Sequence, residues 1–187
     1  MPHLPARGGA RLSRHPACDA ARVVPPAWLR AILRRGCWLA YRVLRLWWRL
    51  RRPEHHGAVV AAWHEGRILL VADSYRGRWG WPGGGIRKGE LPIEAARREL
   101  AEELGLVVAY EALRFVGEVL ERWERRRDYV RIFELILREP QALAPDGVEI
   151  VAAAFLSPAA ALELPLVPFV RAYLEAGHTG SPAPPSA

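Results

Sequence analysis

A long segment near the start of the chain alternates apolar and polar positions with the period of an α-helix. Between residues 27 and 52, at 100° per residue, apolar side chains fill one broad arc and arginines fill the other. The apolar arc contains Leu29, Ile32, Leu33, Cys37, Leu39, Ala40, Val43, Leu44, Leu46, Trp47 and Leu50, and the arginine arc contains Arg30, Arg34, Arg35, Arg42, Arg45, Arg49 and Arg52. The pattern predicts a basic amphipathic helix over 27–52, after a flexible leader over 1–26 that is rich in Arg, Ala, Pro and Gly.

Three interpretations of this helix follow from its pattern. Tyr41, Trp38 and Trp48 lie at the edge of the arginine arc or within it, which is typical of an interfacial helix on an anionic membrane. Alternatively, the apolar face packs on the rest of the chain or on a second subunit, as in a homodimer. Binding of nucleic acid is the least favoured of the three interpretations. Arginine interrupts the apolar run too often for a membrane span, and no secretory signal is recognisable, so we expect a cytoplasmic protein with 27–52 as a candidate peripheral membrane contact.

The remainder of the chain mixes strand-like and helical segments. Apolar runs with the composition of strands occupy Ala58–His64, Ile68–Ala72, Leu113–Leu120, Tyr129–Leu137 and Val148–Phe155. Helical segments are expected at Pro92–Leu104, Pro158–Leu162 and Pro168–Ala176. The first two strands are expected to form a hairpin through Glu65-Gly66. This order predicts an α+β fold with antiparallel pairs in a domain over 53–176, followed by a disordered tail over 177–187.

Composition and charge support a globular domain with a basic N-terminal extension. The chain is 51% hydrophobic and 25% charged, which is typical of soluble globular proteins and unlike disordered or fibrous ones. Of the net charge of +7, residues 1–52 contribute 12 arginines against the single acid Asp19, whereas the rest carries 15 basic and 19 acidic residues. Binding of an anionic partner is one explanation for the excess of arginine in residues 1–52. An arginine-favouring genomic bias is the other, because Lys88 is the only lysine.

Glycines interrupt the pattern between the hairpin and the first helix of the domain. The segment from Pro82 to Glu90 is too rich in glycine for regular structure, and its backbone can therefore approach a ligand closely. Pro92 suits the first position of the following helix, although Leu91 is a poor N-cap. This segment predicts a ligand-binding loop that leads into the helix.

Acidic residues cluster on one face of that helix. Glu99, Glu102 and Glu103 stand at i, i+3 and i+4, about one turn apart. Carboxylates placed this closely repel one another unless a cation lies among them, and a hard divalent cation such as Mg²⁺ prefers oxygen ligands. Arg98 is spaced to reach Glu94 and Glu102, which would orient a metal-binding carboxylate.

The glycine segment and the acidic helix together carry a longer pattern. It reads Gly84, five residues, Glu90, seven residues, Arg98-Glu99-Leu100, one residue, Glu102-Glu103, one residue, Gly105-Leu106. All nine fixed positions resemble the box of the Nudix hydrolase family, in the strand, loop and helix context that the motif requires. The resemblance extends over roughly residues 57–176. It implies an α/β/α sandwich around a mixed β-sheet, here preceded by the amphipathic helix.

The resemblance also implies roles for individual residues. The metal ligands would be Glu99, Glu102, Glu103 and the carbonyl of Gly83, with Glu90, Arg98 and Gly105 supporting them; the candidate bases are Glu102, Glu99 and Glu149. The cofactor would be Mg²⁺, with Mn²⁺ as the alternative. The implied reaction is attack of a metal-activated water on one phosphorus of a diphosphate.

Substrate selection is assigned to residues around the box. Tyr75, Arg76, Trp79 and Trp81 precede the glycines and offer a cation for phosphate and rings for stacking, while Gly84 and Gly85 offer backbone. A charged stretch around Trp123, from Glu121 to Arg127, is a candidate cap over the pocket. We expect a small nucleotide-type substrate, either a nucleoside diphosphate linked to another moiety or a nucleoside triphosphate. The alternatives are an RNA-end pyrophosphohydrolase and a catalytically silent nucleotide-binding or membrane-associated adaptor.

Overall fold

The computed structural model describes residues 26–51, 54–121 and 127–178, with side chains described up to residue 44 in the first range. Its helices are α1 (Ala27–Arg51), α2 (Pro92–Leu104), α3 (Pro158–Leu162) and α4 (Pro168–Glu175). Its strands are β1 (Glu54–His64), β2 (Arg67–Asp73), β3 (Trp79–Gly80), β4 (Gly83–Gly85), β5 (Leu113–Glu121), β6 (Arg127–Ile136) and β7 (Ile150–Leu156). Residues 1–25 of the predicted leader and residues 179–187 of the predicted tail lie outside the described residues.

The strands of the described residues form one mixed sheet around β1. The order is β3-β2-β1-β6-β5, with β4 pairing with β1 and β7 with β2. The hairpin between β1 and β2 is confirmed: Glu65 and Gly66 both adopt positive φ, at 47° and 71°, as a tight turn between twisted strands requires. In contrast, β1 and β6 run parallel over ten residue pairs, from Glu54 opposite Arg127 to Trp63 opposite Ile136.

Helices cover both faces of the sheet, which confirms the α/β/α sandwich. Successive residues of β1 point to opposite faces. Ala58, Val60 and Ala62 pack in the core beneath α2, whereas Ala61 and Trp63 pack in the core beneath α3 and α4. No helix in the described ranges has both the length and the hydropathy that crossing a membrane requires.

Helix α2 has the bounds that the sequence predicts. Pro92 occupies its first turn, and Gly105 ends it with φ 71°, where the N–H of Gly105 donates to the carbonyl of Ala101. Leu100 and Leu104 are completely buried against the sheet, and each contributes about 2 kcal/mol to stability through burial alone. This packing places the adjacent, acidic side of the helix next to β4, where Glu103 is also buried.

The glycine segment contains a short strand, so the expectation of a wholly irregular loop is wrong. Gly83, Gly84 and Gly85 pair antiparallel with Val59, Ala58 and Gly57 of β1. The N–H of Ile86 then donates to the carbonyl of His56 at 2.9 Å, which continues the pairing. The backbone hydrogen bonds of a central strand therefore impose regular structure on residues whose composition disfavours it.

Candidate active site

Two glycines of β4 are positions where a side chain would collide. Gly83 has φ 145°, and a Cβ there would meet the carbonyl oxygen of Ala58 and, at 2.6 Å, the Cα of Val59. A Cβ on Gly84 would lie 2.5 Å from Oε1 of Glu99. The absence of side chains on β4 therefore lets the carboxylates of α2 approach its backbone directly.

Glu103 is a buried carboxyl group at the end of α2. Its exposed fraction is 7%, and its Oε2 accepts a hydrogen bond from the N–H of Gly83 at 3.0 Å. Burial raises its pKa from 4.5 to about 9, the Gly83 N–H opposes this, and the charges of Glu99, Glu149 and Asp146 add to the rise. In the absence of a cation, Glu103 therefore holds a proton at neutral pH.

Arg98 binds several carboxylates at once. It donates to both oxygens of Glu90, at 2.7 and 3.0 Å, to Glu99 at 2.6 Å and to Glu102 at 3.1 Å. A further bond at 3.0 Å reaches the carbonyl of Gly85, which connects the helix to β4. The hydrogen bonds from Arg98, together with the N–H of Arg87, lower the pKa of Glu90 to about 2.

The expected contact between Arg98 and Glu94 is not formed. Glu94 instead accepts the N–H of Leu91 at 2.9 Å and so satisfies a free donor at the start of α2. Arg98 binds Glu90 instead. Because Glu90 lies before the helix, the i, i+4 spacing of a helix does not predict this contact. The predicted contact with Glu102 is present.

The three box glutamates share one face of α2 but have different partners. Glu99 and Glu102 both bind Arg98, and the half-exposed Glu102 also accepts a bond from Arg87 at 3.2 Å. Among the described residues, no three Asp, Glu, His or Cys side chains already surround a single metal position. The donor set nevertheless fits a hard divalent cation, because carboxylate oxygens are its preferred ligands and the charges of Glu99, Glu149 and Asp146 act on the buried carboxyl of Glu103.

A pocket of about 270 Å³ opens beside β4 and Glu103. Glu149 lies on its wall, where its Oε1 accepts a hydrogen bond from the hydroxyl of Tyr75 at 3.0 Å. Asp146 orients the segment that carries Glu149, since its Oδ1 accepts the N–H groups of Val148, Glu149 and Ile150. Burial raises the pKa of the Tyr75 hydroxyl, so Tyr75 donates this hydrogen bond throughout the neutral range.

The structure places some of the expected substrate residues at this pocket and others away from it. Tyr75, Arg76, Trp81, Gly84 and Gly85 line it, and the guanidinium of Arg76 lies 5.2 Å from the centre of the Tyr75 ring. Trp79 does not line the pocket. It packs instead against the core beneath α3 and α4. Residues 122–126, which include Trp123, lie outside the described residues.

One wall of the pocket contains His55 and Asp128, which the sequence did not single out, together with Glu121 from the predicted cap. His55 and Asp128 are register partners in the parallel pair of β1 and β6, with Nδ1 of His55 3.9 Å from Oδ1 of Asp128. Asp128 is 6% exposed, and Glu121 at the end of β5 lies on the same wall. Burial and the charge of Asp128 raise the pKa of Glu121. The strand pattern of β6 was visible in the sequence, but its parallel pairing with β1 was not.

Helix α1 contacts the rim of the pocket through one narrow stripe. Arg34 donates to the carbonyl of Gly147 at 2.8 Å, and the ring of Tyr41 lies 4.9 Å from that of Tyr75. Ile32 and the other apolar residues on the opposite side of the helix are exposed. Of the apolar arc, Leu29 and Cys37 are half-buried, whereas the other described members are exposed. Most of the apolar face in the described part of α1 therefore does not pack on the domain.

Comparisons with known proteins agree with this fold. A NUDIX domain model matches residues 53–176. An RNA pyrophosphohydrolase of Halorhodospira halophila is 38% identical over 69 residues, which are 37% of this chain and 36% of that protein. A putative 8-oxo-dGTP diphosphatase 2 of Mycobacterium tuberculosis is 48% identical over 58 residues, 28% of this chain and 38% of the relative.

The solved structures that resemble the chain include a MutT NUDIX hydrolase from Burkholderia pseudomallei. It is 25% identical, with a TM-score of 0.54, and the match covers 67% of this chain and 99% of that one. The chain thus spans only about two fifths of the length of the curated relatives it matches, but nearly all of this solved domain.

Proposed function

The chain belongs to the Nudix family, and we propose that it hydrolyses the diphosphate linkage of a nucleotide-type substrate with the aid of a divalent cation, Mg²⁺. The observation that carries this proposal is the carboxyl group of Glu103. It is buried beside the glycine backbone of β4, and its carboxylate neighbours Glu99 and Glu149 supply further negative charge. A site of this charge favours a cation together with the phosphate oxygens that accompany it.

The residues that would hold the cation are Glu99, Glu102, Glu103 and the carbonyl of Gly83. When bound, Mg²⁺ neutralises charge on the diphosphate oxygens and acidifies a water molecule. Arg98 orients Glu99 and Glu102 through its hydrogen bonds, and Glu90 in turn anchors Arg98 to the segment that leads into α2.

A carboxylate of this chain must accept the proton of the attacking water. Glu99 and Glu102 on α2 are the favoured candidates, and Glu149 is the alternative because it lines the same pocket as Glu103. Tyr75 holds Glu149 by its hydroxyl, and this fixes one carboxylate oxygen while leaving the other for a ligand. We propose Glu149 as an additional metal ligand or base.

Substrate binding is proposed for the backbone of Gly84 and Gly85 and for Tyr75 and Arg76. The glycines allow phosphate groups to approach the strand closely, and the Arg76 guanidinium, 3.4 Å from Asp73 and above Tyr75, offers charge at the rim. The substrate class is a nucleoside diphosphate linked to another moiety or a nucleoside triphosphate.

The proposal is tested by a turnover screen of the purified full chain with and without Mg²⁺ or Mn²⁺. The panel contains nucleotide sugars, dinucleotides, nucleoside triphosphates including 8-oxo-dGTP, and RNA with a 5′-triphosphate. Glu103→Gln is expected to lose most of the activity, at least about a hundredfold, because it removes a charged ligand. Glu94→Gln is the matched control on the same helix, since its amide oxygen can still accept the N–H of Leu91.

If no compound is turned over faster by the unmodified protein than by Glu103→Gln, the enzyme proposal fails in favour of a nucleotide-binding adaptor. An RNA-end activity is a second candidate because a relative is named an RNA pyrophosphohydrolase. In that case turnover of 5′-triphosphate RNA should exceed that of free nucleotides, fall steeply with salt and disappear on deletion of residues 1–52.

A further inference from the structure

Helix α1 has two faces with opposite surroundings. Its half-buried stripe, which includes Arg34 and Tyr41, meets the domain at Gly147 and Tyr75. Its exposed stripe contains Trp28, Ile32, Leu39 and Val43, which follow one another at helical spacing and are between 56% and 65% exposed. These large apolar side chains therefore lie on one side of the helix and are directed away from the domain.

The border of this apolar surface is cationic and aromatic. Arg35 and Arg42 are exposed beside it, and the Arg42 guanidinium lies 4.7 Å from the centre of the Trp38 ring. Over its full length α1 carries seven arginines and no acidic residue. An apolar face with a tryptophan and arginines at its edge is typical of a helix that lies in a membrane interface.

We propose that α1 docks the protein onto an anionic lipid surface, with Trp28, Ile32, Leu39 and Val43 in the acyl boundary and the border arginines on lipid phosphates. The charge pattern selects this occupant over a second copy of the chain. Two copies joined through this face would bring their arginine borders together, and neither helix has a carboxylate to neutralise them. Nucleic acid would pair with the arginines but would leave the apolar stripe in water.

Docking by this face is compatible with the contacts on the other side of the helix. Arg34 and Tyr41 remain on the pocket rim, so the membrane would lie on the far side of α1 from Tyr75. A polar substrate could then enter from water while the domain is held at the surface.

The test is co-sedimentation of the full chain with vesicles of phosphatidylcholine alone and of phosphatidylcholine with about a third phosphatidylglycerol. Binding is expected to anionic vesicles and to weaken with salt. The double variants Ile32→Gln/Val43→Gln and Arg35→Gln/Arg42→Gln should each lower the affinity about tenfold or more. Glutamine is a good helix former, so the helix itself is retained, which far-ultraviolet circular dichroism checks. Val107→Gln, which replaces an equally exposed valine on the domain, should leave the affinity unchanged.

Three results would overturn the proposal. The first is failure to bind anionic vesicles, or equal binding to neutral ones. The second is a dimer in sedimentation velocity that Ile32→Gln/Val43→Gln dissociates, since a second copy would then cover the face. The third is RNA binding that Arg35→Gln/Arg42→Gln abolishes and Ile32→Gln/Val43→Gln does not, without vesicle binding. None of these readouts depends on hydrolase activity, so they test membrane docking independently of the proposed function.

Discussion

Replacing Glu103 by glutamine should change how the stability of the metal-free protein depends on pH. The folded protein holds the proton of Glu103 up to a pKa of about 9, whereas the unfolded chain releases it near 4.5. Between these values folding takes up a proton, so the free energy of unfolding falls as pH rises. Below 4.5 and above 9 this residue contributes no pH dependence.

The magnitude follows from the same shift. A single proton taken up on folding gives a slope of at most roughly 1.4 kcal/mol per pH unit, or about 3 kcal/mol between pH 6 and pH 8. For a domain of this size that corresponds to a fall in Tm of about 10 °C. Glutamine is neutral at every pH and still presents an oxygen to the N–H of Gly83, so this part of the slope should disappear in Glu103→Gln.

The assay is thermal unfolding in excess chelator from pH 5 to pH 9, for the unmodified protein, Glu103→Gln and the control Glu94→Gln. The difference in Tm between the unmodified protein and Glu103→Gln should widen with pH, while Glu94→Gln should follow the unmodified protein. Excess Mg²⁺ should flatten the curve of the unmodified protein, because a bound cation stabilises the ionised carboxylate. Parallel curves for the unmodified protein and Glu103→Gln in chelator would refute the reasoning that burial keeps Glu103 protonated.

Two further predictions concern the backbone of β4 and the far wall of the pocket. Gly83→Ala should destabilise the domain by about 2 kcal/mol or more, because the added Cβ would meet backbone atoms at a φ that L residues rarely adopt. Gly84→Ala should displace only the carboxylate of Glu99, and should therefore lower turnover at a nearly unchanged Tm. Equal losses of Tm in the two variants would contradict this prediction. Tyr75→Phe removes the hydrogen bond to Glu149. It should lower the hydrolysis rate severalfold and alter the dependence of that rate on pH, while the protein still folds. An unchanged pH–rate profile would exclude a positioning role for Tyr75.

The elements that the sequence predicts best are those with local signals. The bounds of α2 follow from Pro92, Gly105 and the period of its buried leucines, and the β1–β2 hairpin follows from the turn at Glu65-Gly66. Each of these signals lies within a few residues of the structure it specifies. The prediction succeeds because the physical cause is equally local.

The features that the sequence does not predict depend on partners distant in the chain. Gly83–Gly85 becomes a strand only because β1 supplies hydrogen-bond partners, and Arg98 binds Glu90 because the chain before α2 folds back over it. Helical spacing predicts which carboxylates share a face and that Arg98 reaches Glu102, but not that Arg98 also binds Glu90 and Glu99. The amphipathic pattern of α1 likewise predicts a helix without revealing which of its faces the domain leaves exposed.

The parallel pairing of β1 with β6 has a consequence for how the site comes into existence. The paired residues Glu54 and Arg127 are 127 − 54 = 73 positions apart, so this ladder forms only after a long loop closes, and such non-local parallel contacts are slow to form. During synthesis, the whole motif from Gly84 to Leu106 leaves the ribosome before the strand that completes the wall beside His55. A fragment that contains the motif alone therefore lacks one wall of the pocket, and this wall is completed only after β6 has been synthesised and has paired with β1.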